Sequence, residues 1–160
     1  MKPPLLFLLL SLLAFSCTSQ DICFEDSVSE LVASFKTETN DIVSDTTISG
    51  VTVYGIREDQ PIYLLYDSID VSEIILPLDP HHNYSNFVFQ VNNEADTLNL
   101  TLKLTHSSEV YLISYTCGFG NLFTLNDIQY EEGVIVKDTI INPLINTSLE
   151  EVDEHIWLYF

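Results

Sequence analysis

Basic residues are scarce in this chain of 160 residues, which has 5 lysines and arginines against 24 acidic residues. The formal net charge is therefore −19 at pH 7. The phosphates of nucleic acids and the headgroups of anionic lipids would repel so negative a chain. We expect no nucleic-acid partner, and we expect the acidic side chains to form a solvated surface that favours basic partners.

Motifs that would carry catalysis are also missing. The sequence has no nucleophile elbow and no histidine near a Ser-Gly turn. His81 and His82 are adjacent, so on an extended segment their side chains point apart and make a poor chelate. We place these two in a surface loop, His106 in a turn and His155 in a terminal strand. We expect no catalytic residue, no metal site and no cofactor.

Long apolar runs are confined to the first sixteen residues. Lys2, an apolar segment from Leu5 to Phe15 and the small Ser16 stand before Cys17, in the order of a secretory signal peptide. A cysteine at the cut site indicates a lipoprotein, because its sulfur would take a diacylglyceryl group and its amine a third acyl chain. Two or more chains hold a protein stably on a membrane. We predict lipidation of Cys17; the alternative is an ordinary signal peptide followed by a chance cysteine.

The predicted signal peptide divides the chain into three parts. Residues 1–16 would be removed, residues 17–22 would form the lipidated N-terminus with a short tether, and residues 23–160 would form a single domain. The mature chain of 144 residues would keep 4 basic and 24 acidic residues, since Lys2 is lost with the signal peptide. This length suffices for one domain with a sizeable core.

Cysteine is rare, with three residues in the whole chain. Export would place Cys23 and Cys117 in an oxidising compartment, where pairs of cysteines tend to form disulfides. Their bridge would close a loop of about 94 residues and, on chain-entropy grounds, contribute about 4–5 kcal/mol. A catalytic thiol would need a nearby base, and no histidine is close in sequence to either cysteine. We therefore predict a Cys23–Cys117 disulfide.

Short strands separated by turns are predicted along most of the mature chain. Residues Leu98 to Thr105 alternate leucine with polar residues, so one face would pack on a core and the other would face water. His106 to Ser108 are expected to form a turn, and a weak helical period is confined to Asp26 to Ala33. The other strand segments are Leu31–Phe35, Gly50–Ile56, Ile62–Tyr66, Val71–Leu78, Asn86–Val91, Glu109–Cys117, Asn121–Tyr130, Val134–Ile141 and Val152–Phe160.

The regular spacing of these segments indicates a fold class. Turn signals recur every eight to twelve residues or so, as in β-sandwiches, and short links favour antiparallel neighbours. We expect an all-β, antiparallel, Ig-like β-sandwich of about nine short strands, each of about five to eight residues. The glycines Gly118 and Gly120 would supply a tight bend or a bulge beside the disulfide.

Four segments together carry a family resemblance. They are the lipobox that ends at Cys17, Asp21–Asp26, Tyr115–Phe119 and His155–Phe160. These segments resemble a family of small uncharacterised lipoproteins from Bacteroidota, over nearly the whole mature chain. The resemblance implies an envelope lipoprotein with a paired Cys23–Cys117 and carries no activity. Surface-export signals in that phylum place several acids directly after the anchor cysteine, whereas Thr18 to Gln20 intervene here, which favours the periplasmic face of the outer membrane.

These patterns predict a non-enzymatic structural or protein-interaction domain of the cell envelope, held to the membrane by lipid on Cys17. An envelope protein is the partner we expect, and Val152 to Phe160 could pair with a partner's strand if it lies at a sheet margin. One alternative is a ligand- or calcium-binding module, because Asp67, Asp70 and the acids of 150–154 could offer oxygens. Another is a small hydrolase with an unrecognised site. The sequence leaves the oligomeric state open.

Overall fold

The computed structural model describes residues 29–57, 60–92, 97–131, 134–146 and 154–160. Within these ranges the chain forms strands and no helix. The predicted signal peptide, the tether and Cys23 lie outside the described residues. The strands are β1 (Glu30–Thr39), β2 (Ile42–Asp45), β3 (Ile48–Arg57), β4 (Gln60–Val71), β5 (Glu73–Pro77), β6 (Tyr84–Asn92), β7 (Thr97–Ser114), β8 (Gly118–Tyr130), β9 (Lys137–Ile140), β10 (Leu144–Ile145) and β11 (Ile156–Tyr159).

The strands form two sheets that enclose one hydrophobic core. Sheet A has the order β2-β1-β11-β9, and β5 also pairs with β1. Sheet B has the order β10-β8-β7-β6-β3-β4. Neighbouring strands are antiparallel except for the pair β1 and β11, which is parallel. The predicted all-β sandwich is therefore confirmed, with one parallel pair that the short links had not suggested.

Alternation along β7 places three leucines in the core, whereas Leu98, expected on the same face, is exposed at the start of the strand. Leu100, Leu102 and Leu104 are at most 2 % exposed, and the polar residues between them are half-buried. On the neighbouring strand β6, Phe89 and Phe87 lie opposite Leu100 and Leu102 and are equally buried. Apolar side chains in register across an antiparallel pair stabilise both strands, so the predicted one-sided character of this segment is confirmed.

The turn predicted at His106 to Ser108 is wrong, because β7 continues through it to Ser114. The His106 side chain is 1 % exposed, and its backbone N–H donates to the Asn83 carbonyl at 2.9 Å. A histidine whose ring is hydrogen-bonded fits a core-facing strand position, which polarity alone does not reveal. The expected strand length of five to eight residues is also wrong, since β4, β7 and β8 have 12, 18 and 13 residues.

Three further differences concern short segments. The weak helical period at Asp26 to Ala33 is not realised over its described part, since Glu30 already belongs to β1. The strands β2 and β10 were not predicted, and both are short pieces that add to an existing sheet edge. The bend expected at Gly118 is present: this residue has φ 76°, a left-handed conformation that suits glycine, directly after the turn of the β7–β8 hairpin.

The strand β11 lies inside sheet A rather than at its margin. It pairs with β1 on one side and with β9 on the other. Its backbone groups are therefore used within the sheet, and the strand addition suggested for this segment has no free edge here. The ring of His155, one residue before β11, accepts a hydrogen bond at Nδ1 from the Val32 N–H at 3.0 Å.

We predict that His155→Phe destabilises the protein more than His155→Asn. The Val32 N–H is buried, and loss of its acceptor costs about 1–3 kcal/mol. An asparagine side chain keeps an oxygen acceptor at this position, so its loss should be smaller. Urea unfolding of both variants at pH 7 gives the two free energies. Equal losses for the two variants would contradict the importance of this hydrogen bond.

Candidate functional site

Polar side chains converge where the loop after β5 meets strands β3, β6 and β7. We call this group the Asp79 cluster; it consists of Arg57, Asp79, His82, Ser85 and His106. Asp79, Ser85 and His106 are buried, and the other two are half-buried. The cluster brings a serine, a histidine and an aspartate together beside the core, so its geometry decides whether it can act on a substrate.

Ser85 and His106 form a direct contact within the cluster. The Ser85 Oγ accepts a hydrogen bond from the Asp79 N–H at 2.9 Å and lies 2.9 Å from His106 Nε2. Since a hydroxyl oxygen has two acceptor lone pairs, the tautomer of His106 decides which of the two atoms donates in this contact. Burial lowers the pKa of His106, against the opposing effect of the Asp79 charge. This lowered pKa favours the neutral ring at pH 7.

The Asp79 carboxylate is used by other groups. It accepts from the His81 N–H at 2.9 Å and lies 3.2 Å from His82 Nδ1 and 3.5 Å from Arg57 Nε. Burial alone would raise the pKa of Asp79, but these hydrogen bonds and the Arg57 charge outweigh it and hold the pKa below its usual value. Asp79 is therefore a carboxylate that fixes the loop at 79–82.

The cluster contains a serine, a histidine and an aspartate but not the geometry of a nucleophilic triad. In a triad the aspartate binds the histidine nitrogen that does not face the serine. Here the His106 Nδ1 has no hydrogen-bond partner among the described residues, and the ring packs edge-on against Phe123 at 5.1 Å. Ser85 is 5 % exposed and His106 1 %. This arrangement fastens the loop to the sheet and leaves the serine inaccessible to a substrate.

The contact between Ser85 and His106 was missed by sequence reasoning for a definite reason. The two residues are 21 positions apart. They become neighbours because Ser85 lies opposite Leu104 in the β6–β7 register, which makes His106 its diagonal neighbour on the same face. The only available signal was that His106 continues the alternation of Leu100, Leu102 and Leu104.

A buried lysine, Lys36, forms a separate polar group in sheet A. The Lys36 ammonium is 2.5 Å from Asp45 Oδ1, 2.8 Å from Glu154 Oε1 and 4.9 Å from the Trp157 ring centre. Burial alone would lower the pKa of Lys36, but its two carboxylate partners outweigh burial and raise it. The same pairing contributes to a lowered pKa for Glu154, against the effect of burial. This group joins β1 to β2 and to the segment that leads into β11.

The predicted cysteine sites are only partly visible. Cys17 and Cys23 lie outside the described residues, so lipidation and the Cys23–Cys117 bridge stay predictions. Cys117 is half-buried in the turn between β7 and β8, and its backbone N–H donates to Ser114 Oγ at 2.9 Å.

The histidines and acids considered as metal ligands are dispersed. His81 and His82 lie in a loop, as predicted, and His155 binds the backbone of β1. Asp70 accepts from the Gly50 N–H, whereas residues 150, 151 and 153 lie outside the described ranges. Those ranges contain no group of three or more histidine, cysteine, aspartate or glutamate residues that could hold a metal ion. They also contain no helix with the length and apolar character to cross a bilayer.

We predict that Asp79→Asn lowers stability at pH 7 and has less effect at pH 3. A carboxylate whose pKa is lowered by folding stabilises the protein above its unfolded pKa, and this contribution is lost as pH falls through the folded value. Asparagine keeps the size of the side chain but removes the charge. Urea unfolding of the wild type and the variant at both pH values measures the difference. A destabilisation that is independent of pH would show that the charge of Asp79 is unimportant.

Comparison with known proteins gives one match. No curated protein and no solved structure is significantly similar to the chain. A family of unknown function, DUF6452, matches residues 50–160, a segment that runs from β3 to the end of the chain and includes the Asp79 cluster. Since this match spans more than two thirds of the sequence, the chain belongs to this family of unknown function.

Proposed function

We propose that this protein is a lipoprotein of the outer membrane, anchored through acyl chains on Cys17 at the periplasmic face. Its sandwich would act as a non-enzymatic structural or protein-interaction domain. The observation that carries the proposal is the order of residues 1–17, where a basic start, an apolar run and a small residue stand before Cys17. The resemblance to lipoproteins of Bacteroidota supports the same location.

The proposal includes a Cys23–Cys117 disulfide, which is supported by a contact at the start of the described chain. Ser29 is buried, and its Oγ donates a hydrogen bond to the Asn121 carbonyl on β8. Cys23 is six positions before Ser29, and Cys117 is four positions before Asn121. These stretches span at most ~20 Å and ~13 Å when extended. The two cysteines are therefore within reach of each other.

A disulfide at this place would have a mechanical role. It would fix the start of the domain to the β7–β8 hairpin, so that five residues separate the bridge from Cys17. A pull on the lipid anchor would then act on a cross-linked hairpin rather than on the end of β1, whose backbone bonds could open one after another.

A small hydrolase is the second candidate, because Ser85 and His106 are in contact at 2.9 Å. Its weakness is the burial of both side chains. A fluorophosphonate probe, which reacts with activated serines, separates the two candidates. We expect no labelling of the wild type beyond that of Ser85→Ala. Labelling that depends on Ser85 and is lost in His106→Ala would favour the hydrolase.

We predict the intact mass of the protein purified from its native envelope. It should fit residues 17–160 plus three acyl chains, and it should rise by two hydrogens when a reductant is added. The matched controls are Cys17→Ser, which should carry no acyl chain, and Cys23→Ser, which should keep the acyl chains but gain no hydrogens on reduction.

The outcomes test the two parts of the proposal separately. A wild-type mass without lipid would remove the anchor, whatever happens on reduction. A lipidated mass that does not change on reduction would keep the anchor and remove the disulfide.

A further inference from the structure

The β7–β8 hairpin has an exposed apolar face close to its turn. We call residues 107–122 the hairpin arm. Val110, Leu112 and Phe119 are 72 %, 46 % and 69 % exposed. Leu112 lies opposite Phe119, and Val110 lies two residues before Leu112 on the same strand. Because opposed residues share a face and alternate residues return to it, these three side chains are on one side of the arm.

This exposed side continues the side of the hairpin that is buried in the sandwich. Leu104, His106 and Phe123 are buried. In steps of two residues, the face of Leu104 and His106 continues along β7 to Val110, and the face of Phe123 continues along β8 to Phe119. The same face of the hairpin therefore runs on from the core, past Ser108 and Asn121, to the exposed apolar side chains near the turn. An exposed apolar patch outside the core commonly marks a contact with a partner or a membrane.

The arm also differs from the rest of the chain in charge. Glu109 is the one charged residue of the arm, and residues 110–126 contain no acidic and no basic residue, although the whole chain has 24 acids among its 160 residues. Anionic headgroups would repel the acidic surface of the domain but not this segment. Tyr115, at the turn of the arm, is fully exposed, and aromatic side chains such as Tyr115 and Phe119 suit the boundary between lipid and water.

The position of the arm relative to the lipid anchor indicates what it contacts. The described chain starts at Ser29, which is hydrogen-bonded to Asn121 within the arm. Only the eleven residues 18–28 separate Ser29 from the lipidated cysteine, a reach of at most ~40 Å when extended. With the Cys23–Cys117 bridge the reach falls to ~20 Å from the turn of the arm. With the bridge, the anchor thus keeps the turn of the arm closer to the bilayer than the length of β1.

We propose that the hairpin arm lies against the bilayer that holds the acyl chains, with Val110, Leu112, Tyr115 and Phe119 in its interfacial region. This inference rests on the proposed lipid anchor. The contact makes the sandwich sit on the membrane in one orientation, with the loop end of β1 and β2 directed away from the lipid. The acidic remainder of the domain then faces the aqueous compartment, where basic partners can reach it.

The test compares two added tryptophans on the mature, lipidated chain. Phe119→Trp places one on the arm. Ile42→Trp places one at the start of β2, opposite Thr39 at the far end of β1; both positions are 69 % exposed. Ten residues of β1 separate the two ends, a distance of about 33 Å. Each chain is reconstituted into vesicles of phosphatidylethanolamine and phosphatidylglycerol, with and without bromine on the acyl chains. Trp157 is present in both variants, so its emission cancels in the comparison.

We expect the added emission of Phe119→Trp to shift to shorter wavelength and to be quenched by the brominated lipid, whereas that of Ile42→Trp is unchanged. Val110→Trp, on the same side of the arm, should behave like Phe119→Trp and guards against a folding defect in either variant. Flotation of the vesicles reports separately on the anchor. A chain that does not float with the vesicles overturns the anchor and with it the membrane contact.

Two outcomes overturn the membrane contact alone. The first is a floating chain in which the tryptophans at 119 and 42 are quenched to the same extent. The second is emission from position 119 that is shifted to shorter wavelength but not quenched by bromine. That result would mean that protein covers the arm, either residues 18–28 of the same chain or a second copy.

Discussion

The strand β1 is the constraint on which sheet A depends, because three other strands pair with it directly. Its one edge is shared by β5 and β2, and its other edge is occupied by β11. Lys36 adds a buried cation that draws Asp45 and Glu154 together, and the His155 ring holds the backbone of β1 at Val32. Without β1 the remaining strands of sheet A would have no common neighbour, and the core face of sheet B would be uncovered.

The two sheets differ in the length of their strands, and this difference produces the most distinctive surface. The strand β7 has 18 residues, whereas β5 and β11 on the opposite sheet have 5 and 4. Because the strands of sheet A are shorter than β7 and β8, sheet A does not cover the whole β7–β8 hairpin. Apolar side chains near the turn of the hairpin are therefore exposed. The Asp79 cluster lies where this hairpin leaves the sandwich: Ser108 Oγ still donates to the Pro80 carbonyl, at 3.3 Å. The cluster thus fixes the base from which the hairpin arm extends.

The sequence predicted the strands better than their limits or their partners. The alternation of Leu98 to Thr105 was sufficient to place this segment in a sheet with one face on the core, because period two is a local property. The continuation through His106 was not predictable, since it requires the side-chain partner Ser85, which only the β6–β7 register supplies. The same reason hid the ion pairs of Lys36, whose partners are 9 and 118 residues away. Residues 1–23, by contrast, lie outside the described ranges. Their local signal, an apolar run before a cysteine, is read from the sequence alone.

The parallel pairing of β1 with β11 has a consequence for the order in which the chain acquires its fold. The contact between Val32 and His155 joins residues 123 positions apart, whereas β6, β7 and β8 are successive hairpin neighbours. Contacts between near residues form fast, and those that close long loops form late. Much of sheet B can therefore assemble early, from strands that follow one another in the sequence. Sheet A is complete only when residues 156–159 pair with β1, so the last strand of the fold decides when the core face of sheet B is covered.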